Sequence, residues 1–267
     1  MNADTFDKLR TLVYEKSGIT LGDNKQALVR ARIAKRMRQL EIVDYDEYLH
    51  YVMKEPSGDE IQCMVDAIST NVTSFYREPA HFDFLREAIT GWIEKGVRDL
   101  HFWSAASSTG EEPYTMAIET LETIGRRPVT AKILGTDISR RVLETAQRAE
   151  YTPGQIKPVP EHLRDFYFER RKIKGETRYA AREALRAMVV FRQFNLSAFP
   201  YPLSSTLDAI FCRNVMIYFD RIVRTSMVHE FQRLLKKGGY LFVGHAESIT
   251  GLSDSFMCIK PSVYKRV

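Results

Sequence analysis

The sequence predicts an α/β fold that carries an all-helical domain at its N-terminus and a small antiparallel insertion. Three observations support this fold class. Residues 1 to about 70 show only helical periodicity, short apolar runs alternate with helical segments from about residue 98, and roughly forty residues interrupt that alternation. Strands that alternate with helices form a parallel sheet covered on both faces. We therefore predict a helical domain at 1–70, a linker and linking helix at 71–97, and an α/β domain at 98–267.

The N-terminal domain is predicted to consist of helices with recognisable start or stop signals. These helices are FDKLRTLVYEKSG, which ends on Gly18, NKQALVRARIAKRMRQL, which follows a capping Asp23, and DEIQCMVDAIST, which begins after Gly58. A linker, STNVTSFYREP, then leads to a helix that starts near Pro79.

The α/β domain is predicted from its apolar runs and the helices between them. The strands are DLHFW, AKILGTD, MVVFRQF, LDAIFC and GYLFVGH. Helices are expected from about Glu112, over RRVLETAQRA, and over DRIVRTSMVHEFQRLLKKGG, which we expect to end at Gly238 and Gly239. The tail FMCIKPSVYKRV predicts a final strand or hairpin. The interruption at about 150–186 carries a Lys174-Gly175-Glu176 turn and predicts the antiparallel insertion.

Composition limits the function classes without choosing one. The chain has 267 residues, 44% of them hydrophobic, and no apolar run of about eighteen residues or signal-peptide pattern, so we expect a cytoplasmic protein. The three widely spaced cysteines indicate neither a disulfide framework nor a metal site. A net charge of +5 is compatible with an acidic partner, which could be nucleic acid, anionic lipid or an acidic protein surface.

Polar residues at the strand ends predict the ligand, because parallel α/β sheets bind ligands at the carboxyl ends of their strands. Asp137 ends the second strand and suits the two hydroxyls of a ribose. In WSAASSTGEEPYTMA, which begins at Trp103, Glu111 and Glu112 would repel a pyrophosphate. A nucleoside with a cationic amine and a sulfonium, S-adenosylmethionine, meets both conditions. The alternative is that the two glutamates only favour the dipole of a helix N-terminus.

Several stretches together resemble the bacterial chemotaxis receptor methyltransferases of the CheR family. These are NVTSFYRE, WSAASSTGEEPYTMA, GTDIS, FCRNVMIYFD and LLKKGGYLFVGHAES, and the resemblance covers nearly the full chain. It implies a Rossmann-like class I S-adenosylmethionine methyltransferase sheet with an N-terminal helical domain and a small β-subdomain. It also implies methyl transfer to side-chain carboxylates of receptor glutamates, which gives methyl esters and S-adenosylhomocysteine.

The resemblance also implies the site residues. The implied cofactor contacts are Asn71, Thr73, Arg77, Glu112, Asp137, Asn195, Leu196, Cys212, Arg213 and Asn214. Arg77 and Tyr218 are expected to flank the transferred methyl group as catalytic residues. Because a glutamate with a pKa near 4.3 is already ionised at neutral pH, no general base is required, and we expect His245 to be structural.

Two basic segments are candidate receptor-binding surfaces. The second helix has no acid and carries the cations Arg30, Arg32, Lys35, Arg36 and Arg38, which would attract an acidic helical bundle. The insertion, with Arg170, Arg171, Lys172 and Lys174, is a second candidate, since some members of the family bind a receptor's C-terminal pentapeptide there by strand addition. The alternatives are a nucleic-acid methyltransferase that uses the basic helical domain and a binding module without turnover.

Overall fold

The computed structural model of the chain describes residues 1–204 and 206–267. It confirms an α/β fold preceded by a helical domain. The helices are α1 Ala3–Ser17, α2 Gln26–Gln39, α3 Tyr45–Lys54, α4 Asp59–Ile68, α5 Ala80–Glu94, α6 Glu111–Ile124, α7 Arg140–Arg148, α8 Pro153–Ile156, α9 Glu161–Tyr167, α10 Glu183–Arg186 and α11 Arg221–Leu234. The strands are β1 Asp99–Ser104, β2 Thr130–Asp137, β3 Glu150–Tyr151, β4 Phe168–Ile173, β5 Glu176–Ala181, β6 Val189–Gln193, β7 Leu207–Cys212, β8 Leu235–Val243, β9 Phe256–Lys260 and β10 Val263–Arg266.

The main sheet has the order β6-β2-β1-β7-β8-β10-β9. Strands β6, β2, β1, β7 and β8 run parallel, whereas β10 pairs antiparallel with both β8 and β9. The tail is therefore the second of the two predicted possibilities, a hairpin. Because β1 lies between β2 and β7, the carboxyl ends of these three strands meet at the centre of one sheet edge.

The predicted antiparallel insertion is confirmed as a second sheet with the order β3-β5-β4. Strands β4 and β5 form a hairpin that turns through Lys174 and Gly175, whose φ angles are 50° and 84°. Two positive φ angles are typical of a two-residue hairpin turn. Strand β4 pairs with β5 alone within the described residues, so its other edge is open.

Side chains on the two faces of the sheet enter separate cores. In β1, Phe102 packs into one apolar cluster with Ile118 of α6, whereas the adjacent Trp103 packs into another with Phe231 of α11. This alternation is the period of a strand that is buried on both faces. The helical domain has a third core, in which Ile33 of α2 is fully buried.

The helical domain differs from the prediction in two places. Asp23 does not cap α2 but lies in a 3-10 turn, where its Oδ1 pairs with Nη1 of Arg10 at 3.0 Å. Helix α3 was not predicted, although Asp44 caps it by accepting hydrogen bonds from the amides of Asp46 and Glu47. A short amphipathic helix of this kind depends on burying one face against neighbouring helices, which local periodicity signals weakly.

The predicted end of the last helix was wrong as well. Helix α11 ends at Leu234, and Leu235 already pairs with Leu207 as the first residue of β8. Gly238, with a φ of 80°, therefore lies inside β8, at the irregularity that shifts the register between β7 and β8. Among the described residues, no helix has both the length and the apolar character needed to cross a membrane.

Candidate active site

A cavity of about 330 Å³ lies where the helical domain and the linker cover the carboxyl ends of β1, β2 and β7. This volume is in the usual range for a small-molecule site. The predicted cofactor and catalytic residues that line it are Asn71, Thr73, Arg77, Glu112, Asp137, Asn195, Leu196, Arg213, Asn214 and Tyr218. The cavity is also lined by Lys25 and Arg32 of the helical domain, which sequence reasoning did not assign to the cofactor site.

The helical domain reaches the cavity through contacts at the end of α1. The backbone amide of Thr20 donates to the carbonyl of Tyr218 at 2.8 Å, and Nδ2 of Asn195 donates to the carbonyl of Lys16 at 3.0 Å. The ammonium of Lys25 lies 5.1 Å from the ring centre of Tyr218. The start of α2 is thereby placed beside a predicted catalytic residue, which the sequence alone does not indicate.

Cys212 is the predicted residue whose side chain does not reach the cavity. It ends β7 with its side chain fully buried in the core, and burial raises the pKa of its thiol. Any contact of Cys212 with a ligand would therefore be made by its backbone, whereas its neighbours Arg213 and Asn214 line the cavity directly.

Asp137 presents a buried carboxylate at the end of β2. Its Oδ2 accepts the backbone amide of Ser108 at 2.9 Å, and its Oδ1 accepts that of Ser139 at 3.0 Å. Burial raises the pKa of Asp137, while these amides oppose the shift. Both oxygens are held in place by these amides, and the side chain lines the cavity, which suits a pair of ribose hydroxyls.

Glu111 and Glu112 have different environments. Glu111 is buried away from the cavity, where its Oε2 accepts the Thr109 hydroxyl at 2.6 Å. Glu112 lines the cavity, and its Oε1 accepts the Ser104 hydroxyl at 2.7 Å. Burial raises the pKa of Glu112, and the nearby Arg213 opposes that shift. Glu111 therefore only occupies the start of α6, whereas Glu112 is available to a ligand in the cavity.

A glycine makes the turn before α6 possible. Gly110 has a φ of 95°, and a Cβ there would lie 3.0 Å from Cβ of Ala146 and from Oη of Tyr151. Both the conformation and the close packing favour glycine. This turn brings the first residues of α6 to the end of β1.

Arg213 joins the linker to the sheet. Its Nη1 lies 3.2 Å from Oε2 of Glu112, its Nη2 lies 3.0 Å from Oε2 of Glu78, and it also donates to the carbonyl of Arg77. Glu78 was part of the NVTSFYRE motif but had no predicted role. Its position directly after Arg77 was the available signal, and its partners come from distant parts of the chain.

The linker is held in an unusual backbone conformation. Tyr76 and Glu78 have φ angles of 54° and 57°, and Ser108 and Asn214, which contact the linker, have φ angles of 47° and 58°. Non-glycine residues in this region cluster at functional sites. Nη1 of Arg77 donates to the carbonyl of Val72 at 2.9 Å, so the linker itself orients this guanidinium.

The predicted basic face of α2 is divided in two. Arg36 pairs with Glu60, whose carboxylate is only 3% exposed, through Nη2 and Oε2 at 2.5 Å, and Arg32 donates to the carbonyl of Ser69 at 3.0 Å. Of the five cations predicted to bind the receptor, these two therefore have head groups that already contact other parts of the fold. Arg30, Lys35 and Arg38 are exposed and form no ion pair within the described residues.

The side chains of the cavity match the polar groups of S-adenosylmethionine. Asp137 suits a ribose, and the adjacent Glu112 and Arg213 offer one anion and one cation for the ammonium and carboxylate of an amino acid. Apolar side chains such as Ile138 and Phe194 line the same space. The Rossmann-like sheet and this site define an S-adenosylmethionine-dependent methyltransferase.

Comparisons with known proteins identify the family. The family model described as "CheR methyltransferase, SAM binding domain" matches residues 71–265, and that described as "CheR methyltransferase, all-alpha domain" matches residues 4–69. A relative from Pseudomonas aeruginosa, "Chemotaxis protein methyltransferase 2", is 36% identical over 98% of this chain and 92% of its own length. The "Chemotaxis protein methyltransferase" of Escherichia coli is 35% identical over 97% of this chain and 89% of its own. The chain belongs to the CheR methyltransferase family.

Proposed function

We propose that the protein transfers the methyl group of S-adenosylmethionine to glutamate side chains of chemotaxis receptors in the cytoplasm. The titratable groups around the cavity are the observation that favours a carboxylate as the methyl acceptor. Lys25, Arg32 and Arg77 line it without an ion pair among the described residues, and no histidine of those residues lines it. The other charged groups of the lining are Arg213, which is paired with Glu112 and Glu78, and the carboxylates Glu112 and Asp137, which we assign to the cofactor. Cations attract a carboxylate, and an ionised carboxylate needs no general base. The relatives named for chemotaxis support the receptor as the source of that carboxylate.

The residues of the chain bind, orient and desolvate the reactants. The cofactor, when bound, supplies a methyl group on a sulfonium. Arg77 and Tyr218 orient the acceptor carboxylate, and the helical domain covers the strand ends so that water is excluded from it. Nη1 of Arg77 already donates to the carbonyl of Val72, so this guanidinium has fewer free N–H groups for the acceptor carboxylate. A weaker ground-state contact leaves more of its binding energy for the transition state.

Replacement of Arg77 tests this assignment. We expect Arg77→Ala to lower the methylation rate of receptor membranes about 100-fold, because the acceptor loses its orienting cation. The affinity for S-adenosylmethionine, measured by calorimetry, should fall much less. Arg126→Ala removes an exposed cation in the turn after the C-terminal end of α6 and should change neither quantity. An Arg77→Ala enzyme with a normal rate would reject the catalytic role.

The exposed cations of α2 are the proposed receptor-docking face. These docking cations are Arg30, Lys35 and Arg38. Each exposed ion pair contributes up to about 1 kcal/mol, so reversing all three to glutamate should lower the kcat/KM for receptor about 10- to 100-fold at low salt. Reversing three exposed cations elsewhere, namely Lys95, Arg126 and Lys237, is the matched control. Equal losses in both triple variants would show a general charge effect rather than docking.

The open edge of β4 is the proposed site for a receptor's C-terminal peptide. This strand carries Arg170, Arg171 and Lys172 and pairs with β5 alone within the described residues. A free strand edge can accept an added strand through its backbone groups, and the cations suit an acidic peptide. A receptor C-terminal pentapeptide should therefore bind in a calorimetric titration, and the absence of both heat and competition would remove this proposal.

A further inference from the structure

Three potential metal ligands converge beside the cavity without lining it. Glu78 lies at the end of the linker, His81 lies in the first turn of α5, and His245 follows β8. Nδ1 of His81 is 3.5 Å from Oε2 of Glu78, and Nε2 of His245 is 3.8 Å from the same oxygen. The three ligand atoms lie within 4.8 Å of one another.

His81 is the group in this cluster that lacks a partner. Its side chain is only 2% exposed, and neither ring nitrogen has a hydrogen-bond partner among the described residues. Buried polar groups in folded proteins are nearly always satisfied. Its Nδ1 faces the Glu78 carboxylate, and its ring lies edge-on to that of His245, with ring centres 5.3 Å apart.

The distances from the Glu78 carboxylate to the two imidazoles are close to those of a tetrahedral metal site. With metal–ligand distances near 2.0–2.1 Å, tetrahedral ligand atoms lie about 3.3 Å from one another. The two distances to Oε2 of Glu78, 3.5 and 3.8 Å, are slightly longer than this, whereas the two imidazole nitrogens lie only within 4.8 Å of each other, so the exposed His245 has to move toward His81. Two imidazole nitrogens and one carboxylate oxygen form a ligand set typical of zinc, with a fourth position left for water.

The surroundings orient the carboxylate and set the local charge. Oε1 of Glu78 accepts hydrogen bonds from Nδ2 of Asn214 at 3.3 Å and from the amide of His245 at 3.4 Å, which leaves Oε2 toward the two imidazoles. Such contacts to the second oxygen are common around ligating carboxylates. Arg213 contacts Oε2, but it is shared with Glu112, so two carboxylates flank one guanidinium and the cluster is net anionic before a metal binds.

We propose that Glu78, His81 and His245 form a Zn²⁺-binding site that fastens the linker to the loop after β8. Zinc binding at these three residues does not depend on which methyl acceptor the protein uses. Because Glu78 is adjacent to Arg77, zinc bound there fixes the backbone that presents this arginine to the cavity, and it stabilises the folded chain by binding it preferentially.

The proposal is tested with Co²⁺ and Zn²⁺ on the untagged, metal-free full chain. We expect one Co²⁺ per chain with the visible absorption of a tetrahedral ion, displacement by one equivalent of Zn²⁺, and a higher Tm in the presence of zinc. His245→Ala should weaken Zn²⁺ binding at least tenfold, and it should fold because this side chain is 58% exposed. Glu78→Gln should also weaken Zn²⁺ binding at least tenfold.

The control variant is His162→Ala, which removes an exposed histidine of α9 and should leave zinc affinity unchanged. Absence of stoichiometric binding would overturn the proposal, as would equal affinity in the wild-type and His245→Ala proteins. A sulfur-to-cobalt charge-transfer band would assign the metal to a cysteine, with the same consequence.

Discussion

Replacing Asp137 with asparagine tests the cofactor site at its most buried polar contact. The carboxylate would accept two charge-assisted hydrogen bonds from a ribose, each contributing about 1.5 kcal/mol. Asparagine keeps one acceptor oxygen, so the loss of one bond and of the charge on the other should weaken S-adenosylmethionine binding by about 2 kcal/mol, or about 30-fold. Stability should fall as well. Both oxygens accept backbone amides, so either orientation of the asparagine amide turns its NH₂ toward a buried N–H, at a cost of about 1–3 kcal/mol.

The assay is a calorimetric titration with S-adenosylmethionine, accompanied by urea unfolding of the same preparations. Asp208→Asn is the matched control, because Asp208 is also buried and accepts the amide of His101 at 2.9 Å, but lies at the opposite end of β7. It should lose stability and keep cofactor affinity. A folded Asp137→Asn protein that binds the cofactor within twofold of wild type would refute the assignment of Asp137.

Three further predictions concern stability. Arg36→Ala should lower the free energy of unfolding by about 3–5 kcal/mol, because Glu60 stays buried without its counter-ion; a loss below about 1 kcal/mol in urea unfolding would contradict this pairing. Burial, with a further contribution from the nearby positive charge of Arg213, lowers the pKa of His81 from 6.5 to about 4. Between these pH values the unfolded chain binds more protons than the folded chain, so folding becomes less favourable as the pH falls. With a chelator present, the free energy of unfolding should decrease by about 2 kcal/mol from pH 7 to pH 5. The His81→Phe protein should lose this part of the pH dependence. If its free energy of unfolding changes with pH as in the wild type, His81 is not the titrating group. Gly244→Ala should lower Tm by several degrees and slow methylation, since the new Cβ would lie 2.5 Å from Nδ2 of Asn214; an unchanged Tm and rate would show that the loop has room for it.

The main features of the fold could be predicted because they rest on local patterns. The apolar runs of the sheet, the turn at Lys174 and Gly175, and the alternation with helices are each visible within a few residues. The end of α11 could not be predicted from nearby residues, because Leu235 pairs in β8 with Leu207, nearly thirty positions away. Gly238 does adopt the positive φ angle that glycine favours, but it does so inside β8 and not at the end of a helix.

The residues at the strand ends could be predicted for a similar reason. A parallel sheet brings the positions after its strands to one edge, so Asp137 and Asn214 could be placed there from the sequence. The roles of individual cations in α2 could not. The partner of Arg36 is Glu60, on another helix, and no local pattern distinguishes Arg36 from the exposed Arg38.

The cluster of Glu78, His81 and His245 also lies beyond local patterns. Glu78 and His245 are separated by 167 positions, and they meet because the linker crosses the end of β8. The widely spaced cysteines predicted no metal site, and His245 is too far from Glu78 and His81 in the sequence for the three to form a recognisable ligand motif. Only the folded chain brings a buried histidine without a partner next to this carboxylate.

The most direct test of the proposed function is a single labelling experiment. Receptor membranes are incubated with the protein and S-adenosylmethionine carrying a labelled methyl group, and the labelled receptor is then treated with mild base. The proposed reaction predicts label on the receptor that base releases as methanol, because the product is a glutamate methyl ester. Label that resists base, or label found on nucleic acid instead of receptor, would contradict a glutamate acceptor.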